Sequence, residues 1–246
     1  MSLGEFVSDH IADSIKYMWE NCGQQVTLDD LADVAQCSKF YFVRRFRAET
    51  GWSPARFLAA IRLARSKKLL ASTSMRVSDI SYAVGYLSYG TFTSRFTEAV
   101  GLSPSQYRRY VRGEQVPLRW SEQHDCGREP SMPLLCGKLS DPEGAAVRRR
   151  YMSIFPAANP LTSAAALLIV ANQGAFSLNC VPPGKWIARA IAVSTVRDDR
   201  NRRVTRDVRT GICEFRLRKN DRLEIGITLT ERTIRTAPFL LALPQL

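Results

Sequence analysis

Apolar residues recur on a helical period through residues 1–112, and they fall into two similar sets. In each set a short amphipathic segment leads to a tight break, and a second amphipathic segment follows the break. The first segments carry their apolar residues at Leu28, Leu31, Ala32 and Ala35 in one set, and at Val77, Ile80, Ala83 and Val84 in the other. Two helices joined by a short turn, present twice, predict a pair of helix-turn-helix units.

The two copies close with similar residues at an offset of fifty positions. Phe46 is followed by Gly51-Trp52-Ser53-Pro54 in the first copy, and Phe96 by Gly101-Leu102-Ser103-Pro104 in the second. In both Ser-Pro pairs the serine is expected to cap a helix and the proline to take its first position, where the missing N–H is not needed. Each pair therefore predicts a helix that braces the unit before it.

A further helix is predicted in front of the first unit. Residues 6–21 carry an apolar stripe formed by Ile11, Ile15, Met18 and Trp19. The glycine of Asn21-Cys22-Gly23 suits the C-terminal end of this helix. The next helix begins at Thr27, which forms a capping box with Asp30.

A continuous helix is predicted between the two copies. Residues 55–70 contain neither Pro nor Gly, and their apolar residues recur on a helical period. About 16 residues extend about 24 Å at 1.5 Å per residue. Successive major grooves on one side of B-DNA lie about 34 Å apart, so this spacing suits one chain that contacts two adjacent major grooves.

From Met132 onward the helical period gives way to short apolar segments separated by turns. Strands are predicted over residues 134–139, 151–155, 166–170, 176–180, 186–195, 213–218, 223–229 and 239–243. Turn-rich pieces such as Asp141-Pro142-Glu143-Gly144 and Pro182-Pro183-Gly184 separate them. Seven or eight short strands of this kind are typical of an all-β sandwich.

The predicted fold is therefore multidomain, with an all-α part before an all-β part. An all-α double helix-turn-helix domain covers residues 1–112, and a β-sandwich covers residues 131–246. Residues 113–130 are polar and contain Gly and Pro, and they are interpreted as a linker.

The charge balance favours a polyanionic partner such as nucleic acid. The formal net charge is +12 and the sequence pI is about 9.8. The excess of basic residues is shared between residues 1–112 and residues 113–246, so charge alone does not mark a DNA-binding part.

The cysteine pattern argues against a zinc site. The six cysteines are scattered without a Cys-x-x-Cys pair, and the chain has only two histidines. No metal, cofactor or catalytic residue is expected. Residues 1–5 lack the pattern of a signal peptide, and the most apolar segment, residues 164–171, is too short to span a bilayer. These features predict a cytoplasmic protein that does not enter a membrane.

One long stretch of the first part resembles the DNA-binding domain of the AraC/XylS family of bacterial transcription regulators. It comprises the run from Ile61 to Thr73, then Val77-Ser78-Asp79-Ile80, Val84-Gly85-Tyr86, Phe92, Phe96 and the run from Gly101 to Arg108. The resemblance covers about 100 residues and implies a sequence-specific regulator that binds double-stranded DNA and RNA polymerase. Family members usually carry this domain after their sensing domain, so the order here is reversed.

The resemblance implies DNA contacts on the helix that follows Ser38. Phe42 and Phe46 should face the core, which leaves an outer face formed by Lys39, Phe40, Val43, Arg44 and Arg47. By the resemblance, Phe40, Val43 and Arg44 correspond to positions that meet base edges. A guanidinium can donate two hydrogen bonds to guanine, and the alternative for Arg44 is a phosphate contact. Gln36 stands where family members often have Gly, so a slightly different turn is expected.

The second recognition helix is predicted from about Ser88 to Val100, with Phe92 and Phe96 facing inward. Its candidate DNA contacts are Tyr89, Gly90, Thr91, Ser94 and Arg95. Family members commonly have Arg where this chain has Ser94, so this helix is expected to bind mainly through phosphate contacts and DNA shape. Tyr89 and Thr91 are its candidate base readers.

The second domain leaves several functions open. Residues 137–186 loosely resemble prealbumin-like or carboxypeptidase-regulatory-like sandwiches. We expect this domain to sense a small-molecule effector, to form a homodimer, or to do both. The alternatives are a structural or carbohydrate-binding module on a constitutive regulator, and a DNA-repair alkyl-acceptor enzyme. That enzyme needs an activated Cys, and no Cys here lies in a suitable sequence environment.

Two further features of the second domain have alternative interpretations. Residues 197–209 contain six Arg and three Asp, which predicts a solvated hairpin loop or, alternatively, a second contact to DNA or RNA polymerase. Tyr151, Phe155 and Trp186 are interpreted as sandwich core, with an effector pocket as the alternative.

Overall fold

The computed structural model describes residues 3–116, 132–141, 149–159, 161–162, 164–170, 174–179, 181–197 and 204–242. Within these ranges, the side chains of residues 3–9, 195–197 and 204–207 are not described. The chain divides into two compact units. The helical unit comprises residues 1–118 and 233–246, and the β unit comprises residues 119–232. Most of the predicted linker, including Trp120 and His124, lies outside the described residues.

The described part of the helical unit contains seven helices. They are α1 (Leu3–Asn21), α2 (Leu28–Val34), α3 (Lys39–Thr50), α4 (Pro54–Ser72), α5 (Val77–Ala83), α6 (Tyr89–Val100) and α7 (Pro104–Val111). Helices α2 and α3 form the first helix-turn-helix unit, and α5 and α6 form the second. Helix α4 connects them over 19 residues. The predicted all-α domain with two such units is confirmed.

The caps of the two recognition helices, α3 and α6, repeat each other. Ser38 Oγ accepts a hydrogen bond from the Tyr41 N–H at 3.4 Å, and Ser88 Oγ accepts one from the Thr91 N–H at 3.3 Å. Gly51 and Gly101 end the helices in the left-handed conformation, with φ of 73° and 85°. Because glycine adopts positive φ without a steric penalty, it favours this C-terminal end.

The aromatic cores of the two units also repeat at the fifty-residue offset. Phe42 and Phe46 have ring centroids 5.4 Å apart, and Phe92 and Phe96 have centroids 5.6 Å apart. A ring from the following helix packs on each pair, with Phe57 5.4 Å from Phe46 and Tyr107 5.8 Å from Phe96. The four phenylalanines of α3 and α6 are fully buried. Each recognition helix is therefore anchored from behind by the same arrangement of rings.

The predicted capping pattern is correct at three helices and wrong in part at α4. Thr27 forms a reciprocal capping box with Asp30, and these hydrogen bonds hold the pKa of the Asp30 carboxyl below its usual range. Ser103 forms a second box with Gln106, in addition to the cap at Ser38. Ser53 makes no side-chain cap hydrogen bond. In α4 the position that corresponds to Gln106 of α7 is occupied by Arg56. The Arg56 side chain has no hydrogen-bond acceptor, so it cannot complete a capping box.

The turn of the first unit places Gln36 in the left-handed region, with φ of 49°. The corresponding turn of the second unit has Gly85, with φ of 85°. A Cβ at Gly85 would lie 2.5 Å from the carbonyl oxygen of Cys22, so glycine is required there on steric grounds. Both turns thus place one residue in the left-handed region of backbone conformation. Gln36 adopts this conformation at a cost in conformational free energy that glycine would not have.

The β unit contains two sheets. Its strands are β1 (Leu134–Ser140), β2 (Arg149–Pro156), β3 (Ala166–Val170), β4 (Ala175–Leu178), β5 (Gly184–Arg197), β6 (Val204–Leu217), β7 (Arg222–Thr228) and β8 (Thr230–Glu231). One sheet has the order β4-β1-β7, and the other has the order β3-β2-β5-β6-β8. Strands β1 and β7 are parallel, and the other pairs are antiparallel.

The two sheets share one hydrophobic core, which confirms the predicted β-sandwich. Leu135 and Ile227 from the first sheet belong to the same buried cluster as Met152, Ala190 and Leu217 from the second. Apolar residues alternate along β7, where Ile225 and Ile227 are buried and their neighbours are exposed. This period of two is the one expected of a strand with one buried face.

The aromatic residues considered for an effector pocket do not line one pocket. Trp186 lies in the core, and its indole N–H donates to the Pro182 carbonyl oxygen at 2.9 Å. Tyr151 and Phe155 are also buried, but Phe155 pairs with Ile187 across β2 and β5. Because neighbouring strand residues point to opposite faces, Tyr151 and Phe155 lie on the face opposite Trp186.

One prediction for the β part is wrong, and a second is wrong in part. No strand forms at residues 239–242; this segment is irregular and belongs to the helical unit. In the arginine-rich stretch from Arg197 to Arg209, predicted as a solvated hairpin loop, Arg197 ends β5 and residues 204–209 begin the antiparallel strand β6. Residues 198–203 lie outside the described residues. Arg209 is buried rather than solvated, and it lies 2.7 Å from Asp141 Oδ1. This buried ion pair, which no local pattern indicates, places an arginine inside the unit.

Candidate nucleic-acid interface

Helix α3 presents a polar and aromatic face opposite its buried phenylalanines. Lys39, Phe40, Arg44 and Arg47 are exposed, and Phe40 is 92% exposed. A phenylalanine this exposed gains nothing from burial in the helical unit, so its ring is available for an apolar contact with a partner. The helix thus combines three exposed cations with a phenylalanine ring that is almost fully exposed.

Local contacts orient two of these cations. Lys39 forms an ion pair with Asp29 of α2, in which both side chains are more than half exposed. The Arg44 guanidinium carbon lies 5.7 Å from the centre of the Tyr41 ring, within the range of a cation–π contact. Arg45 instead pairs with Glu49 at 2.7 Å along the same helix. Arg44 therefore rests on an aromatic ring, whereas Arg45 is held by a carboxylate.

Val43 is only partly buried and faces a cleft of about 480 Å³. The cleft is bounded by both helix-turn-helix units. Its walls include Leu28 and Leu31 of α2, Leu58 of α4, and Arg62, Tyr86 and Arg95. The sequence places Val43 on the outer face of α3, and the structure places it at the rim between that face and the cleft.

The second recognition helix exposes a less charged surface. Tyr89 is 45% exposed, and Gly90, Thr91 and Ser94 are exposed as well. Ser94 occupies the position of Arg44 at the fifty-residue offset, so the second helix has a hydroxyl where the first has a guanidinium. The difference between the two helices predicted from the sequence is therefore present in the surface they expose.

Arg95 lies at the cleft beside Tyr86. Burial raises the pKa of the Tyr86 hydroxyl, and the positive charges of Arg95 and Arg62 act in the opposite direction. Arg62 is fixed by hydrogen bonds from Nε to the Cys22 carbonyl oxygen at 2.9 Å and from Nη2 to the Gln24 carbonyl oxygen at 2.8 Å. Two guanidinium groups thus face one apolar cleft.

Leu87 is an exposed residue that the sequence reasoning did not include. It is 98% exposed and directly precedes Ser88, the cap of α6. The corresponding position in the first unit is Cys37, which is partly buried and whose thiol pKa is raised by burial. A large apolar residue in a turn was the signal available in the sequence. Leu87 and Phe40 give each unit one exposed apolar side chain near the start of its recognition helix.

The described residues contain neither a metal cluster nor a membrane span. Among them, no group of three or more His, Cys, Asp and Glu side chains is arranged to hold a metal ion. None of the described helices has both the length and the hydrophobicity needed to cross a bilayer.

A family model described as a helix-turn-helix domain matches residues 31–110. The Transposon Tn10 TetD protein of Escherichia coli is 32% identical over 105 residues, which are 43% of this chain and 76% of that protein. The MmsAB operon regulatory protein of Pseudomonas aeruginosa is 36% identical over 96 residues, which are 39% of this chain and 31% of that protein. The uncharacterized HTH-type transcriptional regulator YobQ of Bacillus subtilis is 29% identical over 111 residues.

Most of these relatives are matched over only part of their length. The chain spans less than half of the MmsAB operon regulatory protein and of YobQ. Among solved structures, the chain is similar to the DNA-binding domain of AdpA, which was crystallised with a target DNA. That likeness has a TM-score of 0.40 and 28% identity, and it covers 42% of this chain and 93% of that chain.

Proposed function

Because the chain belongs to the AraC/XylS family of transcription regulators, we propose that it regulates transcription by binding a specific sequence of double-stranded DNA. The proposal places α3 and α6 in two adjacent major grooves. The observation that carries it is the repeated anchoring of these two helices. Both are capped by serine, held from behind by a phenylalanine pair, and exposed on the other face.

The length of α4 supports the two-groove arrangement. Its 19 residues extend about 28 Å at 1.5 Å per residue. The distance between successive major grooves on one side of B-DNA is about 34 Å. With the width of the two helix-turn-helix units added, α4 is long enough for both recognition helices to contact DNA at the same time.

The proposal gives α3 the larger share of base recognition. Arg44 would donate two hydrogen bonds to a guanine, and its rest position on the Tyr41 ring leaves the guanidinium at the surface. Phe40 and Val43 would contact apolar groups such as a thymine methyl. Lys39 and Arg47 would contact phosphates, which fix orientation without reading sequence.

The proposal gives α6 and the cleft mainly a positioning role. Tyr89 and Thr91 are the base readers on this helix, and Gly90 between them leaves room for the DNA backbone to approach. Ser94 would donate a hydrogen bond to a phosphate. Arg95 would contact the phosphates that lie between the two grooves, because it lies at the cleft that both helix-turn-helix units border.

For the β unit we propose effector sensing, dimerisation, or both. The partners would be double-stranded DNA, RNA polymerase, a small-molecule effector and a second copy of the chain, acting in the cytoplasm. The alternative is a constitutive regulator whose sandwich is a structural or carbohydrate-binding module. The two hypotheses predict different results: if the β unit senses an effector, a ligand bound to it changes the affinity for DNA, whereas in a constitutive regulator it does not.

The test is selection from a random duplex library by the full chain at two salt concentrations, followed by sequencing. We expect one enriched motif whose two half-sites lie about one helical turn apart. Affinity for that motif should decrease with salt and still exceed the affinity for unrelated DNA at both concentrations. Binding that depends on salt without enriching any sequence would overturn the proposal.

A further inference from the structure

Residues 233–242, which we call the strap, pack against the helical unit although they follow the β unit in sequence. Ala237, Leu240, Leu241 and Ala242 are between 1% and 5% exposed. Because burial of apolar side chains is a main source of folding free energy, these side chains make the strap an integral part of the helical unit. The strap carries no strand or helix of its own.

The strap makes polar contacts with both recognition helices. Arg235 Nε donates to Glu49 Oε2 in the last turn of α3 at 3.0 Å. The Ala242 N–H donates to the Val100 carbonyl oxygen at the end of α6 at 3.0 Å. Glu49 and Val100 differ by 51 positions, one more than the repeat offset, so the strap reaches nearly equivalent places on the two helices. It therefore ties the C-terminal turn of one recognition helix to that of the other.

The end of the strap is also attached to the connecting helix. Lys67 Nζ of α4 donates to the carbonyl oxygens of Leu240 and Leu241 at 2.9 and 3.0 Å. The same nitrogen lies 5.3 Å from the centre of the Tyr107 ring of α7. One amine group thus joins the strap, α4 and α7. The strap therefore has one polar anchor near its start, at Arg235, and a group of them at its end, at residues 240–242.

The strap is short enough to limit the distance between the two helix ends. Arg235 and Ala242 are seven positions apart in sequence, and an extended chain spans at most about 3.6 Å per residue. The Cα atoms of these two anchors therefore cannot lie more than about 25 Å apart while the strap is docked. Helix α4 connects the two helix-turn-helix units, and the strap links the C-terminal turns of their recognition helices.

We propose that the strap fixes the spacing of the two recognition helices and thereby determines which distance between two DNA half-sites the protein accepts. The inference rests on the proposed function, because spacing has meaning only if both helices bind DNA. Two linked binding modules lose their joint affinity when the linkage cannot match the distance between sites. The stiffer the linkage, the more affinity is lost for each base pair added to or removed from the spacing between the half-sites.

The test uses the motif selected by the full chain, together with duplexes in which the half-sites are moved closer or further apart by one base pair. Wild-type protein should prefer the selected spacing over either alternative by about tenfold or more. A chain ending at Arg232 should bind all three spacings within about twofold of one another, and Arg235→Gln combined with Lys67→Met should do the same in the full chain. The affinity for one isolated half-site should be unchanged in all proteins.

Controls separate the possible results. Lys68→Met changes an exposed lysine next to Lys67 and should keep the wild-type spacing preference. Circular dichroism and thermal unfolding show whether the shortened chain is folded; if it is not, the full-length double variant decides. A wild-type spacing preference in a folded strap variant would overturn the inference. Absence of any selected motif would instead overturn the proposed function.

Discussion

The Lys67 ammonium nitrogen lies 2.9 Å from the Leu240 carbonyl oxygen, although 173 residues separate the two in sequence. Burial lowers the pKa of Lys67 to about 7, because a charged amine is costly to remove from water. The two strap carbonyls and the Tyr107 ring provide the contacts that this amine still makes. A lysine that titrates near neutral pH therefore sits where the strap joins α4.

This pKa predicts a pH dependence of stability. In the unfolded chain the Lys67 pKa is near its ordinary value of 10.5, so between pH 7 and 9 the unfolded state holds more protons at this site than the folded state. The free energy of unfolding should therefore rise with pH in this window, by up to about 1.4 kcal/mol per pH unit from this group. The gain should be lost as the pH falls to 7.

The measurement is urea unfolding of wild type, Lys67→Met and Lys68→Met between pH 6.5 and 9. The free energy of unfolding should rise less steeply with pH in Lys67→Met than in wild type and in Lys68→Met. An identical pH slope in all three proteins would show that Lys67 does not carry this effect.

The left-handed Gln36 predicts a stabilising substitution. Gln36→Gly should raise the free energy of unfolding by up to about 1 kcal/mol, because a left-handed backbone costs a side-chain residue roughly 1–2 kcal/mol and glycine regains part of it. Gly85→Ala is the matched opposite change and should destabilise, since the new Cβ would lie 2.5 Å from the Cys22 carbonyl oxygen. Thermal unfolding of both variants tests this. A lower melting temperature for Gln36→Gly would contradict the argument.

The ion pair between Arg209 and Asp141 predicts a non-additive pair of substitutions. The two side chains are 9% and 3% exposed. Asp141→Ala should destabilise the β unit by about 3–5 kcal/mol, because it leaves a buried guanidinium without this carboxylate. Adding Arg209→Met to Asp141→Ala should recover part of the loss. A double-mutant cycle from denaturant unfolding measures the coupling, and strictly additive losses would count against the buried pair.

The different surroundings of Arg44 and Arg47 predict different losses of DNA binding. Arg44→Ala should weaken binding by about 1–3 kcal/mol and relax the preference at one base position. Arg47→Ala should weaken binding to all sequences alike and reduce the salt dependence by about one phosphate contact. Titrations against the selected motif and its single-base variants distinguish the two. Equal losses on every sequence for both variants would remove base reading from Arg44.

The helical unit was predictable because its signals are local. The helix bounds follow from caps and glycines that act within a few residues, as at Ser38 and Gly51. The outer positions of α3 follow from the burial of Phe42 and Phe46 by helical geometry alone. The repeat strengthened each local signal by showing it twice.

What the sequence left open depends on partners far along the chain. The apolar run at residues 239–242 has the composition of a strand, and its burial and its contacts with Lys67 and Val100 place it in the helical unit. Arg209 likewise lies in an arginine-rich stretch that predicts a solvated loop, and its partner Asp141 is what identifies it as buried. In both cases the deciding partner lies more than 60 residues away, beyond the reach of any periodic pattern.

The position of the strap has a consequence for synthesis on the ribosome. Residues 3–111, which form all seven helices, emerge before the β unit is made, and residues 233–242 emerge after it. Since domains generally fold as they emerge, the helices pack together before Leu240 and Leu241 are available to pack against them. The DNA-binding unit therefore reaches its complete form only after translation has passed through the whole of the β unit.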